Sequence, residues 1–141
     1  MLDLELINQM HDSPLFFVEK MWGLTPQKSK DEPFRKGKNI TWQQYEILLA
    51  VEAAIKNEKP RRLSIRSGRG IGKDTCLSWL IHWFLFTREN AQIGATAPTS
   101  SQMYDVLWKE LKLWQERLPK EIGDLFEWST THYKIKEKPQ T

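Results

Sequence analysis

The sequence predicts an α/β fold, a parallel sheet with helices packed on it, from two features. Residues 62–66, RLSIR, alternate and run into a glycine-rich turn, after which an apolar helix occupies 73–87. A second short run, QIGATA at 92–97, is followed by another helix carrying Met103, Val106, Leu107, Leu111 and Trp114. Strands alternating with helices of this length fit a parallel sheet, and 141 residues suffice for one domain with its own core.

The elements follow in order. Residues 3–23 read as one or two short helices, with Ser13 before Pro14 as a helix start and Phe16, Phe17, Met21 and Trp22 as an apolar side. Residues 24–39 are polar, hold two prolines and a glycine, and read as an irregular connection. The organisation expected is a helical segment and linker over 1–39, then the α/β unit over 40–141. Thr41 caps a helix to about Asn57, with Ile47, Leu48, Val51, Ala54 and Ile55 at helical spacing. The helix at 73–87 places Leu77, Leu80, Ile81, Phe84 and Leu85 on one side. Trp79, His82 and Trp83 cover much of the rest, which marks a buried helix. The stretch LFEWSTTHYKI alternates Phe126, Trp128, Thr130 and His132 with polar residues and reads as a strand or hairpin arm.

Composition narrows the class. Hydrophobic residues make up 40% and charged residues 28%, as in a soluble globular protein. Net charge is only +3, but residues 56–73 carry seven cations against Glu58, a local +6 that points to phosphate groups or nucleic acid. One cysteine, Cys76, allows no internal disulfide and fits a reducing compartment. The N-terminal residues lack the basic region of a signal peptide. The longest apolar run, WLIHWFLF, is eight residues, well short of the ~20 that span a bilayer, so a cytoplasmic protein without membrane contact is expected. His11, His82 and His132 are scattered and with one cysteine form no metal-ligand pattern.

The turn SGRGIGKDT, residues 67–75, carries the chemistry. Glycines let successive backbone N–H groups face phosphate oxygens, and the following helix adds the positive end of its dipole. In the phosphate-loop pattern G-x-x-x-x-G-K-[ST], a lysine reaches the β- and γ-phosphates and the next hydroxyl binds Mg²⁺. Gly72 and Lys73 supply the G-K. Ser67 stands where the first glycine belongs, with Gly68 one step later, and Asp74 stands where the hydroxyl belongs. The expected cradle is Ser67, Gly68, Arg69, Gly70, Ile71, Gly72, Lys73, Asp74 and Thr75, holding ATP with Mg²⁺. Asp74 is the candidate metal ligand, since Mg²⁺ takes oxygen donors, but its charge opposes the phosphates. Thr75 is turned about 100° away on the helix and does not simply replace it.

SIRSGRGIGKDTCLSWLIHWFLFTR, followed by AQIGATAPTSSQMYDVLWKELKLW, resembles the large terminase subunit of tailed bacteriophages, the ATP-driven motor that packages double-stranded DNA. SPLFFVEKMWG resembles the start of that family, and the likeness covers about residues 13–118. It implies an incomplete P-loop NTPase fold and, for Arg69, a role at the γ-phosphate. It implies that Lys73 holds the β- and γ-phosphates, with Arg69 and Lys73 the catalytic pair. Thr96 and Thr99 would lie near the nucleotide or couple it to DNA movement. TWQQYEIL resembles the aromatic–glutamine pair that contacts adenine; either Gln43 or Gln44 fits, with Gln43 favoured. Implied partners are double-stranded DNA, the portal protein, the small terminase subunit and further copies of the chain, within a bacterial host cell.

Hydrolysis needs further carboxylates to hold Mg²⁺ and orient water. In that family they end a later apolar strand, and no such run follows Trp114 here; a nuclease domain is likewise not seen. The expectation is the front part of a terminase ATPase domain that does not turn over ATP alone. The alternatives are a non-catalytic phosphate- or nucleotide-binding module, part of a helicase-like P-loop translocase, or an inactive remnant.

Overall fold

The computed structural model describes residues 4–56, 63–64, 72–95, 103–128 and 132–135. Helix α1 spans Leu4–Asp12 and α2 spans Pro14–Trp22. Ser13 separates them: its extended backbone breaks the helix, and its Oγ accepts the Phe16 N–H at 3.1 Å. Pro14 at the first position loses no hydrogen bond, because that N–H would have had no partner. Gly23 ends α2 at φ +64, with its N–H on the Glu19 carbonyl.

The connection from 24 to 41 is more ordered than its polar composition predicts. Strands β1 (Thr25–Pro26) and β2 (Asn39–Ile40) pair in parallel, so the segment returns to its own base. Gln27 is buried there. Its amide donates to the Glu32 carbonyl at 2.7 Å and accepts the Trp42 N–H at 3.1 Å. Asn39 reaches back to Thr25 and accepts from the Arg35 N–H.

Helix α3, Trp42–Lys56, starts where Thr41 predicts. Thr41 Oγ1 accepts the Gln44 N–H at 3.1 Å and Gln44 Oε1 accepts the Thr41 N–H at 3.0 Å, a reciprocal capping box. Helix α4 covers Lys73–Thr87. A π-helical stretch, Met103–Trp108, continues into α5, Lys109–Glu116; the short α6 is Lys120–Gly123. The tail, read as one strand or hairpin arm, instead forms two short strands that pair with each other, β3 (Phe126–Trp128) and β4 (Tyr133–Ile135), antiparallel, with Glu127 opposite Lys134.

In the strand predicted at 92–97, residues 92–95 join no ladder, and residues 96 and 97 lie outside the described part. Of the strand at 62–66, Leu63 and Ser64 are described and are also unpaired. The sheets among the described residues are the two small ladders, and the predicted parallel sheet would also draw on residues outside that part. One expectation changes, the buried side of α4. Cys76, Ser78, Trp79, His82 and Trp83 face inward, whereas Leu77 is 39% exposed and Leu80, Ile81, Phe84 and Leu85 are half-buried. The helix is apolar all round, so the larger aromatic surfaces take the interior.

One core joins these elements. Met10, Phe17, Val18 and Met21 from α1 and α2 meet Ile47 and Leu48 of α3, Trp79 and Trp83 of α4, Trp114 of α5 and Phe126 of the hairpin. Trp22, Trp79 and Trp114 meet within 6.4 Å between ring centres. The Trp83 indole N–H donates to the Met10 carbonyl at 2.6 Å, which ties α4 to α1. No helix among the described residues is long and apolar enough to cross a membrane.

Candidate phosphate-binding site

The site is built on the start of α4. Gly72 precedes the helix at φ +79, the left-handed region, where a side chain is strained. Its carbonyl accepts the first helical bond, from the Cys76 N–H at 3.0 Å. No side chain among the described residues caps this end. The N–H groups of the first turn therefore point out of the helix without an intrahelical partner, the arrangement that favours an anion.

Gln44 holds this turn in place. It is 5% exposed, and its Nε2 donates to the Gly72 carbonyl at 2.9 Å while its Oε1 completes the α3 capping box. Both ends of the amide are engaged, which makes Gln44 a brace between the starts of α3 and α4. A Cβ on Gly72 would collide with that same amide. Gln43, one residue earlier, is half-buried and makes no side-chain hydrogen bond among the described residues.

Lys73 is exposed at the first position of α4, and no carboxylate among the described residues pairs with it. Asp74 is half-buried in the first turn and likewise makes no bond among the described residues. Thr75 faces elsewhere: its hydroxyl donates to Glu110 Oε2 on α5 at 3.0 Å.

Ser67, Gly68, Arg69, Gly70 and Ile71, with Thr96 and Thr99, lie outside the described residues. The residues at the described end of the loop fit a nucleotide's phosphates: uncapped amides, an exposed lysine, and a glycine where a side chain would be blocked. For Mg²⁺, Asp74 offers one oxygen ligand, and no three His, Cys, Asp or Glu side chains among the described residues gather as a metal site.

Beneath the site, α4 carries two groups whose titration is moved by burial. Burial pushes the Cys76 thiol up to about 12. Burial also lowers His82 to about 4, against the smaller opposing effect of its bond to the Ser78 carbonyl. That carbonyl only accepts, so His82 Nδ1 carries the proton and donates at 2.8 Å, while Nε2 accepts the Tyr133 hydroxyl at 2.7 Å. His82 thereby fastens the hairpin to α4 as a structural residue.

No protein-family model matches the chain. Comparisons with curated proteins and with solved structures also find no match. The site therefore rests on its residues and geometry.

Residue-pattern reasoning missed Glu110 and Gln27 and left Gln44 open. The sequence does hold a signal for Gln44, because Thr41-x-x-Gln44 is itself a capping-box pattern. Glu110 has a weaker one: it stands four residues before Trp114 on a helix whose apolar face it shares.

Proposed function

We propose that residues 67–75 bind the phosphates of ATP with Mg²⁺. On this reading the chain supplies the nucleotide-binding part of a DNA-packaging motor of the phage terminase kind. The observation that carries the nucleotide reading is the start of α4. A glycine in the left-handed region, a helix end with no side-chain cap among the described residues and an exposed lysine occur together, braced by Gln44. The family resemblance of the sequence supports the motor assignment, together with double-stranded DNA, portal protein, small terminase subunit and further copies of the chain as partners.

The chain's own residues divide the work. The N–H groups of the first turn of α4 orient the phosphates and the Lys73 ammonium neutralises them. Arg69 adds charge at the γ-phosphate, and Gln43 has an amide left to read the base. Gln44 shapes the turn. Mg²⁺, when bound with the nucleotide, screens the phosphate charge, and Asp74 is the residue in place to hold it.

Calorimetric titration with ATP, with and without Mg²⁺, tests the reading. Binding is expected in the native chain and is expected to weaken at least tenfold, about 1.4 kcal/mol, in Lys73→Ala. Asp74→Ser is expected to tighten Mg²⁺–ATP, since it removes a charge that opposes the phosphates. Equal affinity of the native chain and Lys73→Ala would refute the assignment.

A second reading, a nucleotide-binding module without catalysis, is favoured by one contact. The Thr75 hydroxyl and one Glu110 oxygen engage each other and so are taken up beside the loop. Single-turnover measurement of phosphate release from bound ATP separates the two.

A further inference from the structure

Glu110 reaches the first turn of α4 from α5. Its Oε2 accepts two hydrogen bonds, from Thr75 Oγ1 at 3.0 Å and from the Trp114 indole N–H at 3.0 Å. Its backbone carbonyl accepts a third, from Ser78 Oγ at 3.3 Å. One residue thus grips α4 at points one turn apart. The connection continues beyond α5: the Trp114 carbonyl accepts the Trp22 indole N–H at 3.0 Å, and the Trp114 ring meets Trp22 and Trp79 edge-on.

Thr75 stands two residues past Lys73, in the turn whose amides would face a phosphate bound as proposed above. The half-buried Glu110 carboxylate is incompletely screened by solvent, so charge arriving at that turn acts on it directly. Because Thr75 and Trp114 share one oxygen, a change in the first bond alters the second.

We infer that Glu110 is a positioning residue for the phosphate loop and carries the loop's occupancy to α5 through the oxygen shared by Thr75 and Trp114. The inference rests on the nucleotide reading above. It has two consequences. The Trp114 indole senses what the loop holds. The fixed negative charge of Glu110 also favours nucleotide complexed with Mg²⁺ over metal-free nucleotide, because the metal offsets the phosphate charge that Glu110 repels.

The test uses the full chain labelled with 5-fluorotryptophan. Fluorine NMR follows the Trp114 resonance, assigned by Trp114→Phe, while calorimetry measures ATP affinity on the same samples. Saturating Mg²⁺–ATP is expected to shift the Trp114 resonance. The shift is expected to vanish in Thr75→Val, which keeps the shape and loses the donor, and to return in Thr75→Ser. Glu110→Gln keeps an acceptor for both donors but removes the charge; it is expected to shrink the preference for Mg²⁺–ATP over metal-free ATP by about fivefold. A resonance that stays still while calorimetry reports binding overturns the inference and leaves the nucleotide reading intact. A shift of full size in Thr75→Val, or an unchanged metal preference in Glu110→Gln, also overturns it. Absence of ATP binding in the native chain overturns the nucleotide reading and this inference with it.

Discussion

Two adjacent glutamines, Gln43 and Gln44, separate a structural role from a recognition role. Gln44→Ala removes one of the two donors to the Gly72 carbonyl, leaving the Cys76 N–H, and opens the α3 capping box, so a loss of about 2 kcal/mol is expected in urea unfolding. Gln43→Ala removes no such bond among the described residues and is expected to change stability by less than about 0.5 kcal/mol. If Gln43 reads adenine, its removal weakens ATP binding while GTP binding stays as it was, which parallel titrations reveal. His82 gives a prediction of another kind. Its folded pKa of about 4 lies below the ordinary 6.5, so between those values the unfolded chain holds the extra proton. Stability is therefore complete above pH 6.5 and falls as pH drops toward 4, by about 2 kcal/mol at pH 5 and about 3 in all. Urea unfolding at pH 7 and pH 5 measures this, and His82→Leu is expected to flatten the dependence.

Elements show which parts of the structure were legible in the sequence. The starts of α2 and α3 were, because Ser13-Pro14 and Thr41 act through bonds to residues three positions on. The extent of α4 was legible from its unbroken apolar run. Its inward side was not, because a helix apolar on every face carries no period to choose one. The choice was made by partners distant in sequence: Trp22 and Trp114 draw in Trp79, and Tyr133 draws in His82. Gly72 was legible as part of the loop motif, but its contact with Gln44, 28 residues away in the chain, was not. Gly72→Ala is expected to cost at least about 1–2 kcal/mol through strain at positive φ and displacement of the Gln44 amide. It is also expected to weaken ATP binding. A thermal unfolding midpoint equal to that of the native chain would contradict this account of the turn.

Over the whole molecule, the N-terminal helices are part of the structure that supports the candidate site. Phe17, fully buried, packs against Trp22 with ring centres 5.7 Å apart and against Phe86 on α4. Phe17→Ala is expected to cost about 3–5 kcal/mol, seen as a lower urea midpoint with an unchanged slope. An effect under 1 kcal/mol would mean that α2 is not integral to the core. The seven tryptophans, conspicuous in the sequence as core candidates, do more than fill space: Trp22 and Trp83 each donate an indole N–H across the molecule, and Trp114 donates one to Glu110 a turn earlier on its own helix. Their burial follows from residue type. The elements they join do not, since a hydrogen bond such as Trp83 to Met10 links residues 73 positions apart. The parallel sheet foretold by the strand–turn–helix order would draw on residues 62–66 and 92–97, of which 63–64 and 92–95 are described and join no ladder.

Cys76 turns this architecture into a clock. It is the chain's one thiol, on the same helix as Lys73 and one position past Thr75, and it is closed off by the core. With its acidity suppressed to about pH 12 by burial, it reacts negligibly with an alkylating reagent while α4 stays docked. The rate of its alkylation at neutral pH thus counts the moments when the helix that begins the candidate site lifts from its bed. A bound nucleotide that steadies the loop should slow that count, without any label being introduced.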